Sequence, residues 1–285
     1  MLKVPEIKEI IRRYNLGISP RKMGQCFLVD GRALGRIASE LGAGEEDSVL
    51  EIGAGLGALT GELLASGARV YAVERDRRFL QVLTDRFRDK DNLQIVRSDI
   101  LEMDLGPYAM GMPKSLRVVG NIPYSLTSPI LEFLLRQRQW VRRVLLTVQK
   151  EVADRIVAGP GSKTYSSISL LVQVAFKPSI AFTIHPGAFY PQPKVTSAVL
   201  CLDPLEKPAV PPEQEEGVLK LVRSIFTHRR KTLLNALLTG GISLPKEELA
   251  RRLKEAGIDP NRRPETFHLE ELICVRRSLV SSNLT

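Results

Sequence analysis

The stretch Ser48-Val49-Leu50-Glu51-Ile52-Gly53-Ala54-Gly55-Leu56-Gly57 decides the fold of this chain. Its first half is a short apolar run that predicts a buried strand, and its second half is a loop in which glycines alternate with other residues. Glycine adopts backbone angles that other residues resist, and it lets a ligand approach the main chain closely. A helix is predicted to follow, through Ala65. The stretch therefore predicts a strand, a ligand-binding turn and a helix.

The same alternation of short strands and helices continues along the chain. Further strands are predicted at 69–73, 93–97, 116–119, 144–148, 180–184 and 195–202. Helices are predicted at 4–14, from the N-cap Asp30 to about Leu41, at 77–89 and at 128–137. Such alternation indicates an α/β fold with a mostly parallel sheet and helices on both faces.

The composition changes at residues 203–216, which are rich in proline and acidic residues and read as a linker. Only helical patterns follow, at 213–226, 230–238, 246–256 and 269–280. We therefore predict two domains: an α/β domain over residues 1–204 and a small all-helical C-terminal domain over residues 205–285.

Composition and charge narrow the class of protein. The 285 residues carry a formal net charge of +9, which favours a polyanionic partner such as a nucleic acid. No apolar run approaches the roughly 18 residues that span a bilayer, and the N-terminus lacks the apolar core of a secretory signal. We expect a cytoplasmic protein that does not bind membranes. Since the three cysteines and three histidines are scattered, we predict neither a disulfide nor a metal site.

The glycine loop and two later acids predict a nucleotide-like ligand. A dinucleotide fold usually shows GxGxxG around a pyrophosphate, whereas this loop has GxGxG preceded by Glu51. An acidic strand end suits the cationic end of S-adenosylmethionine (SAM). Glu74 ends the second strand, where an acid can accept hydrogen bonds from ribose hydroxyls in NAD and SAM folds alike. Asp99 ends the third strand and can accept one from an adenine amine.

The tetrapeptide Asn121-Ile122-Pro123-Tyr124 follows the fourth predicted strand. An amine on an aromatic ring is a poor nucleophile because its lone pair is delocalised. The Asn121 side-chain oxygen and the Ile122 carbonyl can accept both amine hydrogens and favour the geometry of attack. Tyr124 can stack on the base. After a SAM loop, this motif indicates N-methylation of a planar amine.

Taken together, the motifs give the chain a clear resemblance. It resembles the adenine N6-dimethyltransferases of ribosomal RNA, and most closely the bacterial branch that acts on 16S rRNA. The resemblance covers nearly the whole chain and is carried by GQCFL at 24–28, EIGAGLGALT at 51–60, Glu74, SD at 98–99, NIPY at 121–124, QKEV at 149–152, PGSK at 160–163, FYPQPKV at 189–195, RRKTL at 229–233 and RPE at 263–265.

The resemblance implies a fold, a reaction and a set of site residues. It implies a Rossmann-like SAM-dependent methyltransferase domain and a small helical domain. It implies dimethylation, with four SAM, of two adjacent adenosines near the 3′ end of 16S rRNA in the immature small subunit, and a role in ribosome biogenesis. We expect a monomer. SAM would be held by Cys26, Leu28, Gly53, Glu74, Asp99 and Asn121. Asn121 would accept the target amine, with Tyr124 and Phe189 on either side of the base.

One departure and three alternatives accompany this interpretation. Cys26 stands where the family usually has His or Asn, so we expect its contact to come from the backbone. The alternatives are a methyltransferase of large-subunit RNA, an RNA-binding assembly factor whose methylation is secondary, and an NAD(P) dehydrogenase. Candidate phosphate contacts are the basic segments 12–13, 21–22, 142–143 and 229–231.

Overall fold

The computed structural model of this protein describes residues 2–17 and 26–280. The strands are β1 (Phe27–Leu28), β2 (Ser48–Ile52), β3 (Arg69–Glu74), β4 (Leu93–Arg97), β5 (Leu116–Asn121), β6 (Val141–Gln149), β7 (Phe176–Ile184), β8 (Phe189–Tyr190) and β9 (Ser197–Pro204). The helices are α1 (Val4–Arg13), α2 (Gly31–Leu41), α3 (Ala58–Leu64), α4 (Arg77–Arg86), α5 (Thr127–Gln137), α6 (Lys150–Val157), α7 (Ser167–Gln173), α8 (Pro212–Thr227), α9 (Leu233–Thr239), α10 (Lys246–Glu255) and α11 (Leu269–Val280).

Seven strands form one sheet in the order β4-β3-β2-β5-β6-β9-β7. The pairs β3–β4, β2–β3, β2–β5 and β5–β6 are parallel, and β6–β9 is antiparallel. The predicted mostly parallel sheet is thus confirmed. The chain leaves β2 toward β3 on one side, and β5 lies on the other side. In open α/β sheets, ligands bind at such a reversal of strand order, beyond the carboxyl ends of the strands.

Local sequence explains the strand and helix at this reversal. Every residue of β2 is buried, which accounts for its nearly continuous apolar run. Strand β5 approaches it so closely that a Cβ on Gly120 would lie 2.9 Å from the Ile52 carbonyl oxygen. A larger residue before Asn121 would push the two strands apart.

Helix α2 begins where predicted, since the Asp30 side chain accepts a hydrogen bond from the Ala33 N–H. It ends at Gly42, which adopts a left-handed conformation.

A second, two-stranded sheet joins segments that are far apart in sequence. Strands β1 and β8 pair antiparallel, with Phe27 opposite Tyr190 and Leu28 opposite Phe189. The Val29 N–H extends the pairing by donating to the Ala188 carbonyl over 2.8 Å. Neither two-residue strand has a pattern of its own, so the sequence did not predict them.

Internal contacts divide the chain into two compact units. The first comprises Met1–Ala153 and Pro178–Pro204, and the second comprises Asp154–Lys177 and Leu205–Thr285. The sequence placed the segment Asp154–Lys177 with the α/β domain, whereas in the structure this segment groups with the C-terminal helices. Tyr165 shows the reason within the second unit: it is fully buried, packs edge-to-face on Phe226 and donates a hydrogen bond to the Phe267 carbonyl.

The second unit also brings three short motifs together. Arg229 forms an ion pair with Glu265 at 2.7 Å and donates to the Lys163 carbonyl. The Gly161 N–H donates to the Glu265 carbonyl over 2.8 Å. Helix α9 begins at Leu233, capped by the Thr232 hydroxyl, and not at residue 230 as predicted. The preceding basic residues therefore lie in a turn, with Arg229 tied to its neighbours.

Candidate active site

A cavity of about 540 Å³ opens at the carboxyl ends of β2, β3, β4 and β5. All of its walls belong to the first unit. The predicted site residues that line it are Cys26, Leu28, Gly53, Glu74, Asp99, Asn121 and Tyr124. Parallel strands end at the same edge, and for this reason residues that are distant in sequence meet here.

The glycine loop forms one side of the cavity. Gly53 and Gly55 have φ angles of +71° and +53°, in the region that favours glycine. The Gly53 N–H donates to the Val73 carbonyl over 2.9 Å, which ties the loop to β3. A Cβ on Gly53 would meet no atom within 4 Å, whereas one on Gly55 would lie 3.3 Å from the Phe27 ring. The open space beside Gly53 is room for a ligand against the main chain.

Glu51 lies at the base of the cavity and is 2% exposed. The Thr60 hydroxyl donates to its carboxylate over 2.6 Å. Burial raises the pKa of Glu51 to about 8, a shift to which the nearby Glu74 carboxylate also contributes. Thr60 is on α3 and was not singled out from the sequence, because a threonine in a helix carries no signal of a buried acid partner. A cation placed beside Glu51 would favour its ionised form.

Glu74, at the end of β3, is held by main-chain donors. One oxygen accepts from the Gly55 N–H at 3.0 Å, and the other from the N–H groups of Arg75 and Asp76 at 2.8 and 2.9 Å. Burial raises the pKa of Glu74, and these donors oppose the shift. The carboxylate is thereby fixed next to the glycine loop with its orientation set by the backbone.

Asp99, at the end of β4, has an ion-pair partner that the sequence did not predict. Its Oδ1 atom accepts from the Leu101 N–H at 3.1 Å, and its Oδ2 atom lies 2.8 Å from Nη1 of Arg75. The Arg75 side chain is 78% exposed and lines the rim of the cavity. An amine that bound Asp99 would share this carboxylate with Arg75.

The acceptor motif begins at the end of β5, the strand next to β2 in the sheet. The Asn121 side-chain Nδ2 donates to the Cys26 carbonyl over 2.9 Å. Tyr124 follows in a short turn, and its hydroxyl lies 2.7 Å from the Ser197 hydroxyl. Cys26 contacts Asn121 through its backbone carbonyl, and burial raises the pKa of its thiol. The side-chain oxygen of Asn121 is the atom left to accept an amine hydrogen.

Leu28 and Phe189, predicted for different ligands, lie opposite each other in the two-stranded sheet. Leu28 lines the cavity. Phe189 is 4% exposed, packs in the same apolar cluster as Leu28 and Leu34, and is not among the residues that line the cavity. Its role in stacking on a base stays a prediction.

The basic segments differ in their surroundings. Arg142 and Arg143 form ion pairs with Asp47 and Asp203, at 3.3 and 2.7 Å. The predicted phosphate contacts at 21–22, and the first two residues of the 24–28 motif, lie outside the described residues.

Neither a metal site nor a membrane helix was found in the part of the chain that the structure describes. Across residues 2–17 and 26–280, no three or more His, Cys, Asp or Glu side chains are grouped as metal ligands would be. Within the same ranges, no helix combines the length and the apolar character that crossing a bilayer requires.

The family model described as ribosomal RNA adenine dimethylase matches residues 19–273. The chain belongs to this family. The match confirms the predicted family and the enzyme class, an rRNA adenine dimethyltransferase, and it excludes the NAD(P) dehydrogenase alternative. It spans both the loop at 51–57 and the motif at 121–124, so the cavity described above belongs to the matched part of the chain.

Curated members of the ribosomal RNA adenine dimethylase family are similar to this chain over nearly its whole length. The protein named ribosomal RNA small subunit methyltransferase A from Geobacter metallireducens is 42% identical, over 93% of this chain and 97% of its own. Its namesake from Moorella thermoacetica is 40% identical, over 92% and 93% of the two chains.

Solved structures confirm the Rossmann-like fold predicted for the family. The 23S rRNA methyltransferase ErmE matches with a TM-score of 0.68 and 25% identity, over 89% of this chain and 99% of its own. A dimethyladenosine transferase from Plasmodium falciparum matches with a TM-score of 0.74 and 24% identity, over 87% and 95% of the two chains.

Proposed function

We propose that this protein uses SAM to dimethylate the N6 amines of two adjacent adenosines near the 3′ end of 16S rRNA in the small ribosomal subunit. The observation that carries the proposal is the meeting of Asn121 and Tyr124 with an acid-lined glycine loop in one cavity. The loop supplies a place for the methyl donor, and the motif supplies groups that suit a planar amine.

The residues of the cavity fit SAM. Glu51, Glu74 and Asp99 make one side of it acidic, which suits an ammonium group, ribose hydroxyls and an adenine amine. The carboxylates of Glu74 and Asp99 would repel a pyrophosphate. The open space beside Gly53 lets a ligand lie against the backbone. When bound, SAM supplies a methyl group made electrophilic by the positively charged sulfur.

The acceptor side works by positioning. The oxygen of Asn121 and the Ile122 carbonyl accept the hydrogens of the target amine, which directs the nitrogen lone pair toward the donor. Tyr124 stacks on the base and replaces contacts that the base loses on leaving its RNA helix. The nitrogen becomes acidic once it has bonded to the methyl carbon, so water can remove the proton and no strong base is needed.

The choice of small-subunit over large-subunit RNA rests on degree of similarity. Relatives named for the small subunit share about 40% of their residues with this chain, whereas the large-subunit enzyme ErmE shares 25%. The motifs at 229–233 and 263–265 favour the same choice by their resemblance to the small-subunit branch.

Purified, unmethylated small subunits incubated with labelled SAM test the proposal. We expect label on two adjacent adenosines near the 3′ end of 16S rRNA, mapped by primer extension, and four methyl groups per subunit at completion. Modification of large-subunit RNA alone would contradict the proposal.

A variant with Asn121→Ala separates methylation from a role in subunit assembly. We expect it to lose methylation and still bind immature small subunits, because the side chain contacts the base and not the rest of the particle. Equal loss of binding would mean that the two roles are inseparable.

The immature subunit as partner, the monomeric state and the cytoplasmic location remain predictions.

A further inference from the structure

Tyr124 is held at two points, and one of them comes from a distant strand. The Thr127 hydroxyl donates to the Tyr124 carbonyl over 2.9 Å and fixes the backbone of the turn. The Tyr124 hydroxyl lies 2.7 Å from Ser197, whose side chain is fully buried at the start of β9. The first contact sets the path of the chain, and the second sets the tilt of the ring.

The sheet order explains why a tyrosine is needed for this contact. Tyr124 follows β5, and Ser197 begins β9, with β6 between the two strands. Adjacent strands lie about 4.8 Å apart, so β5 and β9 are separated by roughly 10 Å, a gap that the Tyr124 side chain and the Ser197 hydroxyl bridge together. Ser197 lies opposite Gln149, the last residue of β6, which holds the serine at the same end of the sheet as the cavity.

We propose that Ser197 is a positioning residue for methyl transfer, which holds the Tyr124 ring in the plane needed to stack on the target base. The inference rests on the proposed function. Without the hydroxyl partner, the ring can turn about its side-chain bonds, and part of the stacking is lost whenever it does. Ser197 acts only through Tyr124, so its loss does not disturb the glycine loop where SAM is expected to bind.

The test compares Ser197→Ala, Tyr124→Phe and the double variant in full-length protein. Each single variant removes one partner of the same hydrogen bond. We expect each to lower kcat on unmethylated small subunits by about three- to tenfold, the usual range for one net hydrogen bond. Calorimetric affinity for SAM should stay unchanged. The double variant should be no slower than the slower single variant, because the contact is already absent.

Ser48→Ala is a matched control. Ser48 is also a buried serine that begins a strand of the same sheet, but at the opposite end of β2 from the cavity. Among the described residues its hydroxyl has no hydrogen-bond partner. We expect this variant to keep wild-type kcat and KM, so that any loss in Ser197→Ala is specific to the Tyr124 contact.

Different results would contradict the positioning role of Ser197 and the proposed function. Wild-type kcat in Ser197→Ala, or losses that multiply in the double variant, would overturn the positioning role. Loss of thermal stability with unchanged kcat would also overturn it, since that is the signature of a structural residue. Tyr124→Ala addresses the proposed function: if it retains full methylation, stacking by Tyr124 is wrong whatever Ser197 does.

Discussion

The side-chain amide nitrogen of Asn121 donates to the backbone carbonyl of Cys26 over 2.9 Å. The bond joins the strand end that carries the proposed acceptor to the segment before β1. The bond also fixes the orientation of the Asn121 amide. Its nitrogen donates to Cys26, and its oxygen is left to accept a hydrogen from the target amine. The arrangement requires an amide at position 121 and places no demand on the side chain at position 26.

Asn121→Asp tests that assignment with an almost isosteric change. The second oxygen of aspartate would face the Cys26 carbonyl, and two acceptors at this distance repel each other. We expect the methylation rate to fall at least about 100-fold, as when a group that orients the reacting atom is lost. Single-turnover methylation of small subunits measures the effect. Cys26→Ser is the control: we expect SAM affinity and rate within about threefold of wild type. A large loss in that control would show that the thiol itself is needed.

Glu51→Gln tests the buried acid beneath the glycine loop. The pKa of Glu51 is about 8 in the folded protein, against an ordinary value of 4.5. Between these values the unfolded chain gives up a proton that the folded protein keeps, so the free energy of unfolding falls as pH rises. Glutamine cannot ionise and still accepts from Thr60. We expect a stability gain that grows from pH 5 to pH 8, on the order of 4 kcal/mol at most.

The same variant should bind SAM more weakly, because the carboxylate is proposed to face the ligand's ammonium group. Wild-type affinity for SAM should rise as pH increases toward 8, and that rise should be absent in Glu51→Gln. Denaturant melts and calorimetry across pH measure both effects. Glu46→Gln changes an exposed acid just before β2 and serves as the control. A stability gain that does not depend on pH would show that Glu51 does not titrate in this range.

Alanine substitutions at two glycines of the loop distinguish a loss of stability from a loss of space for the ligand. A Cβ on Gly57 would lie 2.5 Å from the Phe87 ring and 2.8 Å from Leu83, with φ at +73°. Gly57→Ala should therefore destabilise the protein by about 3 kcal/mol. Gly53→Ala meets open space and should cost only about 1 kcal/mol, for its φ of +71°. It should nevertheless lose most SAM affinity, because the methyl group takes up ligand space. SAM binding like that of wild type in Gly53→Ala would place the ligand elsewhere.

The two arginines of the 229–231 segment should behave differently. Arg229 is paired with Glu265 and the Lys163 carbonyl, whereas Arg230 is exposed and forms no hydrogen bond or ion pair with the other described residues. Arg230→Ala should weaken RNA binding and reduce the slope of log Kd against log salt by about 1. Arg229→Ala should leave the slope unchanged and lower stability by about 1 kcal/mol. Binding titrations at several salt concentrations decide, and equal slopes for both variants would contradict the distinction.

The sequence predicted the site residues that lie at the carboxyl ends of the parallel strands. Gly53, Glu74, Asp99 and Asn121 each lie at or just after the carboxyl end of a strand, and parallel strands bring these ends to one edge. Strand β2 was predicted with its correct bounds because an apolar run next to glycines has little other interpretation. Helices α1 and α2 were likewise evident from their periodicity and from the cap at Asp30.

Contacts between residues far apart in the chain could not be predicted in this way. Thr60 against Glu51, Ser197 against Tyr124 and Arg75 against Asp99 each depend on how elements pack in three dimensions. Helix α9 was predicted to begin at Arg230, where the helical pattern starts. It begins at Leu233 because Thr232 caps it and Arg229 is held by Glu265.

The pairing of Leu28 with Phe189 has a thermodynamic consequence. One strand of this ribbon borders the cavity proposed for SAM, and the other carries Phe189, which is predicted to stack on the target base. A ligand that restrains either strand restrains its partner, so the two binding equilibria are linked, and each ligand changes the affinity of the other by the same factor. Titrating SAM with and without bound RNA should therefore give two different affinities, whereas equal affinities would show that the ribbon does not couple the two sites. A ribbon of two residues per strand would then make the exchange of the methyl donor depend on whether RNA is bound, in an enzyme that transfers several methyl groups.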